Sequence, residues 1–385
     1  MKFERTSSAY KGVALILLNT IILILLFNFL LFFSIFLLKD KFAVGPLTYN
    51  ETILKELYPN NSLEETKSLL KETYQNHINL EKINQGYDYE PFTGFKEKPR
   101  DGKYVNIDKN GFRKIENQCN FPTNNKNYNI FIFGGSTTFG LGLPDSETIP
   151  SRIQERLKHE TNRTDICVYN FGRTFYYSSQ ERILFESLLL SNQKPDMIVF
   201  IDGLNEPFAE PQNAQKLRDF MIGKNKIGLF FSDVSIVRVA NYLYSKYINP
   251  PELLYDEKNI DNILNRYTQN KKIISSTSNN YSIKTFFVIQ PIPNYKYNLS
   301  YSTLFKNNLV SYEDNPHLIL RKKFYEDLKS YYNSLTKKEK QSFIWLVTSQ
   351  ENETQNLYVD YAHYNAYFSD KIAEEIAKSI KKEIK

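Results

Sequence analysis

Ser136 is the residue in this chain most suited to nucleophilic chemistry. It stands in "NIFIFGGSTTFGLG", Asn129 to Gly142, where an apolar run gives way to two glycines, a serine and two threonines. Three kinds of site use such a passage from strand to turn. A phosphate loop needs G-x-x-x-x-G-K-[ST]; Gly135 and Gly140 are correctly spaced, but Leu141 occupies the lysine position. A dinucleotide turn needs G-x-G-x-x-G; Gly140-Leu141-Gly142 is followed by Leu143, Pro144 and Asp145, and the third glycine is missing. A nucleophile lifted on a tight turn remains, although not in the α/β-hydrolase form G-x-S-x-G, because Thr138 replaces the last glycine. Taken alone, the stretch also fits a strand that simply ends in glycine and serine.

A serine hydroxyl attacks a carbonyl only when a base takes its proton. The histidines are His77, His159, His317 and His363, and only His363 falls beyond the carboxyl end of a predicted strand. Asp360, three residues earlier, can fold back onto one imidazole nitrogen while the other faces Ser136. It would then fix the tautomer and stabilise the imidazolium. The alternative for each is ordinary: a histidine satisfied in place, and an aspartate that caps a turn.

Those side chains must be brought together by the elements between them. Asn129–Phe133, Ile166–Phe171, Asp196–Asp202, Ile283–Pro291 and Ser342–Thr348 read as strands. Between and after them, Ser146–Leu157, Ser179–Leu190 and the closing "SDKIAEEIAKSIKKEIK" have helical spacing. Near-continuous apolar strands alternating with amphipathic helices predict an α/β fold whose parallel sheet is covered on both faces. Sites in such sheets lie beyond the carboxyl ends of the strands. Ser136, Gly172, Asn205 and the pair Asp360–His363 all fall there.

With these residues in order, the chain from about Tyr128 onward resembles the SGNH hydrolase superfamily, the GDSL-type esterases. The first block reads Gly134-Gly135-Ser136, in the manner of cell-envelope members; the second supplies Gly172 in "YNFGRTF". The third is Gly203-Leu204-Asn205-Glu206, with glutamate in place of the final aspartate; the fifth is Asp360-Tyr361-Ala362-His363. The resemblance implies a flavodoxin-like three-layer sandwich with a central parallel sheet. It implies a triad of Ser136, Asp360 and His363, and an oxyanion hole made by the backbone N–H groups of Ser136 and Gly172 and the side-chain amide of Asn205. It implies an esterase working through an acyl-serine intermediate, without metal or cofactor, on O-acetyl or similar esters of an envelope or exported glycan. An O-acyltransferase with the same triad, and a non-catalytic glycan-binding envelope protein, are the alternatives. Glu206 is expected to be structural or solvent-facing.

The remainder of the sequence sets the surroundings. The chain has 385 residues and a net charge of +6, with no basic stripe or nucleic-acid-binding motif, so nucleic acid is not an expected partner. Its two cysteines form no metal-ligand pattern; Cys119 and Cys167 either bridge outside the cytoplasm or remain buried thiols. Residues 12–38 carry no charge and are long enough to cross a bilayer. They predict a single-pass anchor with residues 1–11 in the cytoplasm and the catalytic part outside. Residues 39–125 then form a membrane-proximal region, in which Ser62 and Glu65 can make a capping box. Residues 126–385 form the hydrolase domain, with an insertion at about 207–280.

Overall fold

The computed structural model describes residues 2–37, 45–74, 86–208, 260–311 and 316–384. The chain divides into two units. The first contains helix α1 (Lys2–Leu37), whose segment Tyr10–Phe33 has a mean hydropathy of 2.7. Twenty-four such residues rise about 36 Å, enough to cross a hydrocarbon core of about 30 Å.

The second unit is built on a parallel sheet of β3 (Tyr128–Gly134), β4 (Ile166–Gly172), β5 (Met197–Asp202), β6 (Lys284–Ile289) and β7 (Phe343–Trp345). Their order across the sheet is β4-β3-β5-β6-β7, the doubly wound flavodoxin-like order. Every residue of β4 and β5 is buried, which is why these strands read as unbroken apolar runs. Alternation within the strands sorts the side chains by shape. Ile130, Ile132, Val168, Val199, Ile201 and Val288 face one helical layer, which holds α5 (Ile149–Thr161) and α9 (Ala366–Ile380). Phe131, Phe133, Tyr169, Phe171, Phe200 and Phe287 face the other, with α6 (Ser178–Leu190) and α7 (Ile260–Asn280). The rings of Phe133 and Phe200 stack there, centroids 4.8 Å apart.

Helix α7 falls within the segment expected to be an insertion. Residues 260–280 are instead the crossover between β5 and β6, with Ile263, Tyr267 and Ile274 turned inward. Parallel neighbours require such a crossover. The helix is rich in Asn, Ser, Thr and Lys, which obscures its apolar face in the sequence. Residues 209–259 of the expected insertion lie outside the described residues.

The expected boundary near residue 125 also shifts, because the second unit begins at Gly45. Helices α2 (Glu51–Leu57) and α3 (Leu63–Tyr74) pack Ile53, Leu54, Leu57, Leu69 and Leu70 into a core shared with Leu141, Leu304 and Val359. The capping box at the start of α3 forms: Ser62 Oγ accepts from the Glu65 amide, and Glu65 Oε2 accepts from the Ser62 amide. A hairpin of β1 (Tyr87–Glu90) and β2 (Gly94–Glu97) follows, antiparallel. Cys119 and Cys167 are joined by a disulfide that ties the segment before β3 to β4.

Candidate active site

Strand β3 ends at Gly134, and Ser136 opens a single helical turn, α4 (Ser136–Phe139). Gly135 is the hinge. A Cβ there would come within 2.6 Å of Asn205 Nδ2, so only glycine lets the nucleophile turn and the β5 turn approach each other. Three polar side chains pin the turn. Asn170 Nδ2 donates to Thr138 O at 3.0 Å. Thr137 Oγ1 donates to Gln290 Oε1 at 2.6 Å. The buried guanidinium of Arg113 donates to Phe139 O, Gly140 O and Leu143 O at 2.8, 2.7 and 2.6 Å, and to Asp145 at 2.8 Å. Sequence reasoning missed all three. Asn170 and Gln290 each interrupt an apolar strand near its carboxyl end, a signal that could have marked them; Arg113 lies in a loop with no periodicity.

The residues predicted as base and orienter meet the serine from the far end of the chain. His363 Nε2 lies 2.7 Å from Ser136 Oγ, and His363 Nδ1 lies 2.7 Å from Asp360 Oδ2. Asp360 Oδ1 accepts the amides of Ala362 and His363, both at 2.8 Å. Burial opposes the charge on Asp360. The neighbouring His363 and the hydrogen bonds from His363 and Tyr74 outweigh it, holding the carboxyl down at about 2. The loop is clamped at its base, where the Val359 amide donates to His363 O at 2.8 Å. Asn365 then caps α9 by accepting from the Phe368 amide. Ser136, Asp360 and His363 are all buried, with Ser136 8% and His363 6% exposed, so the imidazole can pass a proton with little competition from water.

Of the residues expected to form the oxyanion hole, Asn205 has its Nδ2 beside Gly135 and donating to Tyr176 O at 2.8 Å, which leaves a second N–H. The Ser136 amide is at the first position of a helical turn, where backbone N–H groups have no partner within the helix. Gly172 does not fit the expected role. Its N–H donates to Asn170 Oδ1 at 3.0 Å. A Cβ at 172 would strike the Phe139 amide at 2.5 Å, so this glycine lets α4 rest on β4 rather than opening space for substrate. Past it, the second-block loop turns through Phe175, a half-exposed residue with φ 64°.

Glu206 is structural, and not solvent-facing. It is buried and accepts from the Ser178 amide at 2.7 Å and from Ser178 Oγ at 2.9 Å, joining the third-block turn to the start of α6. Burial pushes its carboxyl up to about 7 despite those bonds. Below it, Lys271 pairs with Asp202 in the core.

A buried serine, histidine and aspartate are linked in this order above the carboxyl edge of a flavodoxin-like parallel sheet, the arrangement in which a histidine can take a proton from a serine hydroxyl while an aspartate orients it. No family model matches the chain, and no curated protein matches it. Among solved structures it is similar to a G-D-S-L family protein from Desulfitobacterium hafniense DCB-2, at 15% identity and a TM-score of 0.35, over 66% of this chain and 99% of that one. It is similar to a psychrotrophic esterase from Pseudoalteromonas sp., at 15% identity and a TM-score of 0.34, over 67% and 99%. An acetylxylan esterase from Geobacillus stearothermophilus matches at 14% identity and a TM-score of 0.38, over 66% and 94%.

Proposed function

We propose that this protein is a membrane-anchored esterase that removes small acyl groups, O-acetyl foremost, from an envelope or exported glycan outside the cytoplasm. The observation that carries the chemistry is the continuous chain Ser136 Oγ, His363 Nε2, His363 Nδ1, Asp360 Oδ2, with both hydrogen bonds 2.7 Å long. Ser136 Oγ bonds to the ester carbon as its proton passes to His363 Nε2. The carbonyl oxygen becomes an oxyanion and takes hydrogen bonds from the Ser136 amide and Asn205 Nδ2. His363 returns the proton to the departing alkoxide, leaving acyl-Ser136. Water then attacks the acyl carbon, His363 takes its proton, and Ser136 Oγ leaves with that proton as the carboxylic acid is released. Asp360 stabilises the imidazolium at each step and does not itself become protonated. The apolar helix Tyr10–Phe33 supports the anchor, and the Cys119–Cys167 disulfide supports an oxidising compartment. The glycan ester rests on analogy with the cell-envelope members that the first block, Gly134-Gly135-Ser136, resembles.

The test is labelling of intact cells with a membrane-impermeant fluorophosphonate. Expected is label on the wild-type chain and none on Ser136→Ala. Label appearing only after lysis overturns the location; no label on folded wild-type protein overturns the enzyme.

A further inference from the structure

The segment ahead of the sheet reaches the triad. Helix α3 ends at Tyr74, whose side chain is wholly buried and whose Oη donates to Asp360 Oδ2 at 2.7 Å. That oxygen also holds His363 Nδ1, so phenol and imidazole share one carboxylate oxygen. With two amides on Oδ1, four donors converge on the carboxylate and leave it no freedom to rotate. The Tyr74 ring meets His363 edge-on, centroids 6.4 Å apart. Its backbone is held by the packing of α2 and α3. Beside it Tyr58 Oη donates to Gly142 O at 3.1 Å, and a Cβ on Gly142 would lie 3.2 Å from both hydroxyl oxygens.

We propose that Tyr74 is a positioning residue for acyl transfer, its hydroxyl fixing Asp360 in the orientation that aligns His363 on Ser136. This rests on the esterase reading of the same site. Burial first, and the Asp360 charge second, push the Tyr74 phenol well above its ordinary value, so it remains a donor throughout the working pH range. The charged and titratable groups about Asp360 are Tyr49, Tyr58 and Tyr74 from the N-terminal segment and Tyr361 and His363 from its own loop, with Arg321 behind Tyr361. A hydrogen bond to a buried charge is among the stronger ones, and its loss corresponds to about 10- to 100-fold in rate.

The test is a double-mutant cycle on the full chain. Tyr74→Phe should lower kcat for p-nitrophenyl acetate about 10- to 100-fold, with KM changed less than about twofold. In an Asp360→Asn background, assayed at high enzyme concentration, Tyr74→Phe should cost less than about twofold more, because the residue through which it acts is already disabled. Tyr58→Phe, which removes the neighbouring hydroxyl and leaves every donor to Asp360, should lower kcat far less. Equal losses in both backgrounds, a Tyr58→Phe effect as large as that of Tyr74→Phe, or a folded Tyr74→Phe with normal kcat would each overturn the proposal. So would a Tyr74→Phe chain that does not fold, since the hydroxyl would then serve stability. If wild-type protein turns over no ester, the esterase reading fails first; if it does and Tyr74→Phe matches it, only the positioning role fails.

Discussion

Asn205→Ala tests the proposed oxyanion hole, from which the structure withdraws Gly172. With Gly172 N–H committed to Asn170, the donors proposed are the Ser136 amide and Asn205 Nδ2, so the proposal gives Asn205 a larger share than a three-donor hole would. Loss of one such donor typically lowers kcat by about 10²–10³, or about 2.7–4 kcal/mol, with little effect on KM, because the bond strengthens only as the carbonyl oxygen becomes charged. The same substitution removes the bond to Tyr176 O, worth about 1 kcal/mol, and lowers Tm by about 1–2 °C for a unit of this size. The two effects separate experimentally. Steady-state kinetics on p-nitrophenyl acetate read the first, thermal melting reads the second, and fluorophosphonate labelling confirms that Ser136 is still presented. A folded Asn205→Ala enzyme with wild-type kcat would refute the assignment. A loss confined to KM would show that Asn205 binds ground-state substrate instead.

Ser136→Ala and His363→Ala should each lower turnover by about 10⁴-fold or more, and the double mutant should be scarcely worse than either; losses that multiply in steady-state assays would mean the two do not act as one unit. Arg113→Met removes a buried guanidinium from Asp145 and three carbonyls and should destabilise the fold by about 3–5 kcal/mol in urea titrations; a change under about 1 kcal/mol would show that the nucleophile turn is held without it. Glu206 has its carboxyl raised from 4.5 to about 7 in the folded protein, so its contribution to stability is full below about 4.5 and is lost as pH rises through about 7. Glu206→Gln should therefore flatten the fall of Tm across that range, and parallel Tm–pH curves for the two proteins would contradict the buried, raised carboxyl.

What the sequence by itself determined is set by local chemistry. Short apolar runs such as "DMIVFID", alternating with amphipathic helical stretches, read as strands buried on both faces, and all five fall where they were read, within a few residues at their ends. Polar residues past the ends of such strands, Ser136 and Asn205 close behind theirs and Asp360 and His363 beyond a further loop, were expected on the carboxyl edge of the sheet. The apolar stretch within α1 is legible because it carries no charged residue from Gly12 onward.

The tertiary structure decided what depends on partners distant in sequence. Spacing could not show that the Gly172 N–H is taken by a side chain two residues earlier, or that its missing Cβ makes room for α4. Helix α7 hid behind its polar residues until the β5–β6 crossover required it. The cysteines left two outcomes open until the β4 register brought their Cα atoms within 5.7 Å. Residues 39–125 read as a membrane-proximal region leaning on the main domain, because aromatic loops have no period. Packing instead sends Tyr74 to Asp360 across 286 positions of sequence and seats Arg113 under the nucleophile turn. A hydrogen bond needs a donor and an acceptor at one point in space, and over such separations only the folded chain brings them there.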